Sequence, residues 1–572
     1  VIFSAAAAYL GLKVGQVFEA AIPIAIIAVG LSSGFKRKNA LGENVIIQSI
    51  GASSGVIVAG AIFTLPALYI LQDKYPEITV NFFEVFMSSL LGGIIGILLL
   101  IPFRKYFVSD MHGKYPFPEA TATTQVLVSG EKGGSQAKPL IFAGLIGGLY
   151  DFIIATFGWW GETISTRIVG AGEMLAEKAK IVLKVNTGAA VLGLGYIIGL
   201  KYSLIICAGS FLVWLGIGGI ATAGVIGIIN SWGIIKGAVG LAANELKGKG
   251  DAVESNTIRT QKDLSMKVIT IGIIVSLIVT FLFFQFGVLH NWFHAAIGLL
   301  LVGVIAFLFT TVAANAIAIV GTNPVSGMTL MTLILASIIL VAVGLKGPAG
   351  MVSALIIGGV VCTALSMAGG FITDLKIGYW LGSTPAKQET WKFLGTLVSA
   401  ATVGGVILIL NQTYGFTTGQ LAAPQANAMA AVIEPLMSGS GAPWALYAIG
   451  AVLAVVLNFC KIPALAFALG MFIPLDLNTP LLIGGAISWY VGSRSKDQSL
   501  NSARLEKGTL LASGFIAGGA LMGVVSAALR FGGINLMNEE WASSNAAEIL
   551  AVVMYLVMIA YLTFNSLNAK KE

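Results

Sequence analysis

The sequence predicts an all-α, polytopic membrane protein, and three observations support this prediction. Of the 572 residues, 57% are hydrophobic and only 10% are charged, and the mean hydropathy is +0.90. Apolar runs long enough to cross a hydrocarbon core as a helix recur along the whole chain. These runs are rich in glycine and alanine and lack the alternation typical of β-barrel strands. We expect about 14 to 16 transmembrane helices embedded in a lipid bilayer.

The apolar runs are distributed from one end of the chain to the other. The clearest of them, in chain order, lie at 82–103, 268–286, 295–319, 392–410, 443–459, 508–529 and 547–564. The chain begins at Val1 inside an apolar run, so a first helix is expected to be missing or truncated.

The net charge of +7 lies in short loops such as "FKRKNA" and "LKGKGD". This distribution is typical of the positive-inside bias of membrane proteins and gives no reason to expect a nucleic-acid partner. It favours an orientation with the C-terminus in the cytoplasm. We expect a multi-pass protein of the plasma membrane, which is the inner membrane in a cell that has two membranes. The sequence does not determine the oligomeric state, and a homo-oligomer is possible.

Matching segments in the two parts of the chain predict an internal duplication. "PEATATTQV" at 118–126 matches "PQANAMAAV" at 424–432, an offset of 424 − 118 = 306. Gly92 superposes on Gly404 with an offset of 404 − 92 = 312, and 195–214 matches 470–489 with an offset of 470 − 195 = 275. The same order of matches in both parts indicates a tandem repeat.

We therefore divide the chain into three parts. Residues 1–240 form the first transmembrane repeat, 241–267 a polar linker, and 268–572 the second repeat. The shorter third offset predicts an insertion near 159–185, which is the most polar stretch of the first repeat.

Polar segments rich in proline interrupt the apolar runs at matching places. The segments 116–130 and 423–438 are short for a full span and carry many hydroxyl and amide groups. Such segments can enter the membrane as re-entrant or broken helices where their backbone faces a cavity. Transporters built from internal repeats bind their substrate near the midplane of the bilayer, at broken helices. A third break, at Asn323 and Pro324, could instead be a kinked helix with satisfied polar groups.

Three acidic residues could change charge at membrane depth by binding a proton. Glu119 is the first candidate, because a carboxyl in a partly desolvated segment can bind a proton near neutral pH. The alternative is that Glu119 lies at a solvent-exposed helix start and stays ionised there. Asp151 and Glu434 are second-rank candidates, for which an interfacial or ion-paired role is the stronger interpretation. Asp374 and Lys376 are expected to form a structural ion pair. Candidates for the substrate cavity are Thr121, Thr124, Gln125, Asn323, Pro324, Ser326, Gln425 and Asn427.

The sequence does not favour an enzyme. No usual catalytic motif is present, and the cysteines show no metal-ligand spacing. His290 and His294 of "HNWFH" could meet on one helix face, but the start of a solvated loop is the stronger interpretation than a metal site. We therefore predict no catalytic residue, no metal and no cofactor. A passive channel and an integral-membrane enzyme remain the alternatives to a carrier.

A set of motifs in chain order identifies a family resemblance. They are "YLGLKVG" (9–15), "GENVIIQSIGASSG" (42–55), "YPFPEATA" (115–122), "GTNPVSGMT" (321–329), "DLKIGYWLGSTPAKQ" (374–388), "APQANAMAA" (423–431) and "GMFIPLDLNTPLLIGG" (470–485). Together they resemble the prokaryotic branch of the oligopeptide transporter family.

The resemblance implies secondary active import, driven by protons, through about sixteen helices in two related halves. It implies a small substrate, either a short peptide or a metal complexed by a peptide-like ligand. Ala120 stands where glycine is common in the family, and Thr123 stands where cysteine is frequent. These departures bear on the substrate more than on transport.

Overall fold

The fold is known from a computed structural model of the chain. It describes residues 1–14, 17, 20–35, 40–115, 117–132, 137–179, 182–211, 258–320, 325–417, 421, 423–439, 444–462, 467, 470–471 and 475–569, with short pieces between 222 and 236.

Helices make up nearly all of the described chain. In chain order they are α1 (Ile2–Val14), α2 (Ala21–Gly34), α3 (Leu41–Thr64), α4 (Pro66–Lys74), α5 (Phe82–Arg104), α6 (Pro118–Lys132), α7 (Ala137–Phe152), α8 (Gly170–Ala179), α9 (Ala189–Ile198), α10 (Leu200–Ser210), α11 (Met266–Phe283), α12 (Trp292–Val320), α13 (Val325–Ala342), α14 (Gly347–Trp380), α15 (Pro385–Tyr414), α16 (Pro424–Ser438), α17 (Trp444–Phe459), α18 (Leu475–Ser493), α19 (Gln498–Phe531), α20 (Glu539–Ala542) and α21 (Asn545–Leu567).

The helices belong to two compact units. The first comprises Val1–Ile24, Leu41–Ala120 and Trp214–Ala468, and the second Ala25–Ala40, Thr121–Val213 and Leu469–Glu572. Each unit contains residues of both predicted repeats, so the division into units differs from the division into repeats. The repeat boundaries stay a prediction.

Many of the helices are long and apolar enough to cross a membrane. Within the described residues eight satisfy this condition, and the bent pair α9–α10 adds a ninth if it counts as one span. The prediction of an all-α polytopic membrane protein is therefore confirmed. The predicted count of about 14 to 16 spans stays a prediction, because stretches such as 237–257 lie outside the described residues.

The first unit is built around α14, which is buried from Gly350 to Gly378. It packs against α3 and α5, and glycines bring the backbones together. A Cβ atom on Gly92 or Gly96 of α5 would collide with the carbonyl oxygens of Val360 or Ala364. A helix that is apolar on all sides is a central one, and small residues let its neighbours approach closely.

In the second unit, α7 and α19 cross through two glycine pairs, each spaced one turn apart. A Cβ atom on Gly514 would stand 2.7 Å from the carbonyl oxygen of Leu140 and 2.9 Å from the nitrogen of Gly144. A Cβ atom on Gly148 would stand 2.9 Å from the carbonyl oxygen of Gly518. Such spacing is typical of close packing between membrane helices.

The bent pair of the second unit turns at Gly199, where φ is 81° and the two helix axes differ by 118°. Helix α18 packs closely on this pair. A Cβ atom on Gly195 would meet the backbone of Leu481, and a Cβ atom on Gly484 would meet the backbone nitrogen of Tyr196. The segments 195–214 and 470–489, which match in sequence, thus pack on each other where the structure describes them.

The polar stretch near 159–185 forms the exception to the helical fold within the described chain. Strands β1 (Thr163–Ser165) and β2 (Lys184–Asn186) pair antiparallel, with Ile164 opposite Val185, and α8 lies between them in sequence. The first turn of α21 supports this element, since the carboxyl of Glu548 accepts from the backbone nitrogen of Ser165.

Candidate functional site

The two proline-rich segments form the half-helices α6 and α16. Each begins at a proline and has 15 residues. At 1.5 Å per residue each is about 22 Å long, shorter than a hydrocarbon core of about 30 Å. Neither is among the helices that are long enough for a full span. The lengths accord with re-entrant or half-span elements.

The residue before each half-helix has an unusual backbone. Phe117 and Ala423 have φ of 42° and 37°, a left-handed conformation that is uncommon outside glycine. Both are buried, and each N–H donates to the end of another helix. Phe117 bonds the carbonyl of Ala318 in α12, and Ala423 bonds that of Leu12 in α1, both at 2.9 Å.

These two hydrogen bonds correspond under the sequence offset. The donors differ in position by 423 − 117 = 306, and the acceptors differ by 318 − 12 = 306. In each case a half-helix of one predicted repeat is held by a helix of the other repeat. Strained backbone of this kind persists only where the surroundings impose it.

The first turns of the half-helices carry polar side chains at matching positions. Glu119 is 8% exposed and Gln425 is 4% exposed, so both are buried at the helix start. Thr121, Thr124 and Gln125 are half-buried. The buried oxygens Oγ1 of Thr124 and Oε1 of Gln125 have no hydrogen-bond partner among the described residues.

The remaining cavity candidates are less well placed by the structure. Asn427 donates from Nδ2 to the carbonyl of Ala423 at 3.3 Å, closing the first turn of α16. Asn323 and Pro324 lie outside the described residues. Ser326 lies in α13, but its side chain is outside the described part.

Asp151 in α7 caps another helix. Its Oδ1 accepts from the backbone nitrogen of Ala189 at 2.9 Å, and its Oδ2 accepts from that of Ala190 at 3.3 Å. A carboxylate at a helix N-terminus satisfies backbone donors that would otherwise be unpaired and complements the helix dipole. The arrangement supports the structural interpretation of Asp151.

Glu434 in α16 forms an ion pair with Lys74 and accepts a hydrogen bond from the Tyr75 hydroxyl at 3.1 Å. The hydrogen bond from Lys74 holds the pKa of Glu434 below its ordinary value. A carboxyl that stays ionised over the physiological range is a poor proton carrier.

The expected pairing of Asp374 with Lys376 is wrong. Residues two apart on a helix point to different sides, and Asp374 pairs with Lys392 of α15, Nζ to Oδ2 at 2.5 Å, with side-chain exposures of 1% and 0%. Gln48 of α3 donates to Oδ1 of Asp374 at 2.7 Å, and Lys392 also donates to the Ser49 carbonyl at 2.8 Å. This buried network joins α3, α14 and α15.

Lys376 is surrounded by aromatic rings. Its Nζ donates to the Val108 carbonyl at 2.7 Å and lies 3.1 Å from Nδ1 of His112. The centroids of Phe117, Tyr379 and Trp380 lie 5.1 to 5.3 Å from it. A cation over aromatic faces is stabilised without an acid. The chain before α6 is thereby held against the end of α14.

A second charged cluster joins α5, α15 and the segment before α11. The guanidinium of Arg104 forms an ion pair with Asp263, and its Nη2 donates to Oδ2 at 3.0 Å. Glu389 of α15 is fully buried, and its Oε2 accepts from the backbone nitrogen of Leu264 at 2.7 Å. Asp263 directly precedes Leu264 in the chain, so the carboxyls of Asp263 and Glu389 lie close to each other.

Sequence reasoning missed Lys392, Glu389, Arg104 and Asp263 as functional candidates. The stretch "TPAKQETWK" reads as a polar loop, whereas α15 begins at Pro385 and includes all of its later residues. The available signal was spacing: Gln388, Glu389 and Lys392 share one helix face at intervals of three and four residues. All three are buried.

The family model of the OPT oligopeptide transporter protein matches residues 1–227 and 216–530 of this chain. The chain belongs to the oligopeptide transporter family. A protein of Haemophilus influenzae (strain ATCC 51907 / DSM 11121 / KW20 / Rd) named "Putative oligopeptide transporter" is 28% identical over an alignment of 669 positions. The alignment covers 98% of this chain and 100% of that relative.

Family membership confirms the resemblance predicted from the motifs. The chain is an integral membrane transporter and not an enzyme.

Proposed function

We propose that the protein imports short oligopeptides across the plasma membrane by proton-coupled alternating access. Membership of the oligopeptide transporter family and the name of the Haemophilus relative support the substrate class. The retained alternative substrate is a metal complexed by a peptide-like ligand. In this proposal the C-terminus faces the cytoplasm.

The observation that carries the proposal is the pair of half-helices. Each begins after a left-handed residue whose N–H donates to a helix of the other predicted repeat, with the same offset of 306 between both donors and both acceptors. This correspondence supports two related repeats, 1–240 and 268–572. Related repeats with broken helices are the architecture in which one half moves against the other around a fixed substrate.

We propose that polar groups of the half-helices and of α13 line the substrate path. Thr124 and Gln125 support this role, because each has a buried oxygen without a partner among the described residues. A peptide offers amide and ammonium donors that such oxygens can accept. The full set of proposed cavity residues is Thr121, Thr124, Gln125, Asn323, Pro324, Ser326, Gln425 and Asn427.

Glu119 is our first candidate for the proton carrier. It is buried in the first turn of α6, and its repeat mate Gln425 cannot titrate, so only one half-helix would change charge there. Asp151 and Glu434 rank lower, since the first caps α9 and the second is paired with Lys74. Carboxyls at membrane depth are typical components of proton relays.

The test replaces Glu119 by glutamine, which keeps the shape of the side chain and fixes it in a neutral state. In proteoliposomes, Glu119→Gln should still exchange peptide between equal pools but should lose accumulation under an inward proton gradient. Glu434→Gln in the other half-helix is the matched control and should accumulate peptide normally. Accumulation by Glu119→Gln equal to that of the parent protein would refute the assignment.

Counterflow separates a carrier from a passive channel. Preloaded unlabelled peptide should accelerate uptake of labelled peptide in a carrier, because the loaded site returns faster than the empty one. Equal uptake with and without preloading would favour the channel. The same vesicles assayed with a peptide and with a metal chelate decide between the two substrate classes.

A further inference from the structure

The cluster of Arg104, Asp263 and Glu389 contains more acid than base. Arg104 is 1% exposed; its guanidinium forms an ion pair with Asp263 and donates from Nη2 to the Gln261 carbonyl at 3.3 Å, while its Nη1 has no hydrogen-bond partner among the described residues. Glu389 has no exposed surface, and no cation of the described chain forms an ion pair with it. The described charged groups that face it are Asp263, from the segment before α11, and Arg104, from α5.

Neither neighbouring cation of α15 pairs with Glu389, since Lys387 is exposed and Lys392 has other partners. Lys392, three residues further along the helix, donates to Asp374 and to the Ser49 carbonyl. With both acids ionised, Glu389 would carry a fully buried negative charge beside the Arg104–Asp263 pair, in which the Asp263 side chain is 26% exposed, and the cluster would hold two negative charges to one positive charge. Burying a charge without a partner is costly, so a group in this position binds a proton instead.

The hydrogen bonds of Glu389 locate the missing proton. Its Oε2 accepts from the Leu264 nitrogen at 2.7 Å, whereas its buried Oε1 has no hydrogen-bond donor among the described residues. Asp263 directly precedes Leu264 in the chain, so its carboxyl lies beside that of Glu389. Two carboxylates in contact repel, but a single proton between them gives each an oxygen partner.

We propose that Asp263 and Glu389 bind one proton between them, and that this proton holds the segment 258–265 against α5 and α15. The segment is the described part of the predicted linker 241–267 that precedes α11, and its other contacts to α15 include the hydrogen bond from the Ala386 nitrogen to the Lys262 carbonyl at 3.0 Å. When the proton leaves, the carboxylates repel each other and the segment separates from α15. The link between the repeats then becomes sensitive to pH.

This site is distinct from the one assigned to Glu119, and it does not depend on the driving force for transport. It can therefore be tested on the purified full-length protein without a transport assay. Failure of the Glu119 experiment leaves it standing, and its own failure leaves proton-coupled import standing.

The first measurement is infrared difference spectroscopy during a pH titration. Because Glu119 is itself proposed to bind a proton, the parent protein and all variants in this measurement carry Glu119→Gln. This parent protein should show the carbonyl band of a protonated carboxylic acid that disappears as pH rises. Glu389→Gln keeps a hydrogen-bond donor toward Asp263 but cannot ionise, so it should lose the band. Asp263→Asn should also lose it, and it provides a second variant if the first does not fold. Glu434→Gln is the matched control and should keep the band.

The second measurement is hydrogen–deuterium exchange of the segment 258–265, corrected for the intrinsic effect of pH. Protection should fall in the parent protein as the band disappears and should stay constant in Glu389→Gln. A band that remains in both single variants, or protection with the same pH dependence in parent and Glu389→Gln, would overturn the proposal. Loss of the band on adding sodium at constant pH and ionic strength would also overturn it, because a metal cation would then compete for the site.

Discussion

The crossing of α7 and α19 offers a quantitative test of helix packing in this protein. Substituting Gly514 by alanine would place its Cβ 2.7 Å from the Leu140 carbonyl oxygen, whereas ordinary contact begins at 3.4 Å. The helices must therefore separate by about 3.4 − 2.7 = 0.7 Å. Overpacking of this kind costs roughly 1–3 kcal/mol. The neighbouring atoms are backbone or the Ala143 Cβ, at 2.8 Å, so no flexible side chain can move away.

Gly405→Ala in α15 is the matched control. A Cβ atom there meets nothing within 4 Å. Both substitutions gain about 1 kcal/mol of helix propensity, so the difference between them isolates the clash. Denaturant titration in detergent, followed by circular dichroism, should show Gly514→Ala less stable than Gly405→Ala by about 1–3 kcal/mol. Equal stability of the two variants would show that α7 and α19 are not in backbone contact.

Two further predictions concern ion pairs of the first unit. Lys392→Met should destabilise the protein by about 3–5 kcal/mol, because Asp374 is left as a buried charge without a partner. Adding Asp374→Asn should restore most of the lost stability. A double variant as unstable as Lys392→Met alone would contradict this prediction. Glu434→Gln should change the thermal midpoint little near neutral pH, because the pair with Lys74 is exposed to solvent. Since the pKa of Glu434 is lowered on folding, the pair stabilises above the unfolded pKa, and this contribution disappears as pH falls through the folded pKa. The variant should therefore lose less stability than the parent protein on acidification, and an identical loss in both would refute the role of the pair.

The fold class was predictable because membrane helices are specified by local properties. Length, apolar composition and glycine content identify α5, α12 and α14 without any knowledge of their partners. The half-helices were also predictable, since Pro118 and Pro424 begin matched polar segments of limited length. Each of these features can be read within about twenty consecutive residues.

The charged clusters were not predictable in this way, because they depend on contacts between distant segments. Asp374 has an oppositely charged neighbour two residues away, yet its partner lies on another helix. Asp263 and Glu389 are far apart in sequence and are brought together by the packing of the segment before α11 on α15. Recognising them from sequence would require knowledge of which helices are neighbours.

The reciprocal hydrogen bonds of Phe117 and Ala423 have a consequence for biogenesis. The sequence offset from Phe117 to its acceptor Ala318 is 318 − 117 = 201, and the offset from Leu12 to its donor Ala423 is 423 − 12 = 411. Protein synthesis adds about 5–20 residues per second. Ala318 is therefore synthesised roughly 10–40 s after Phe117, and Ala423 roughly 20–80 s after Leu12. During that interval the start of α6 and the end of α1 each lack this backbone partner. The two hydrogen bonds that hold the half-helices can therefore form only after Ala318 and Ala423 of the second predicted repeat have been synthesised.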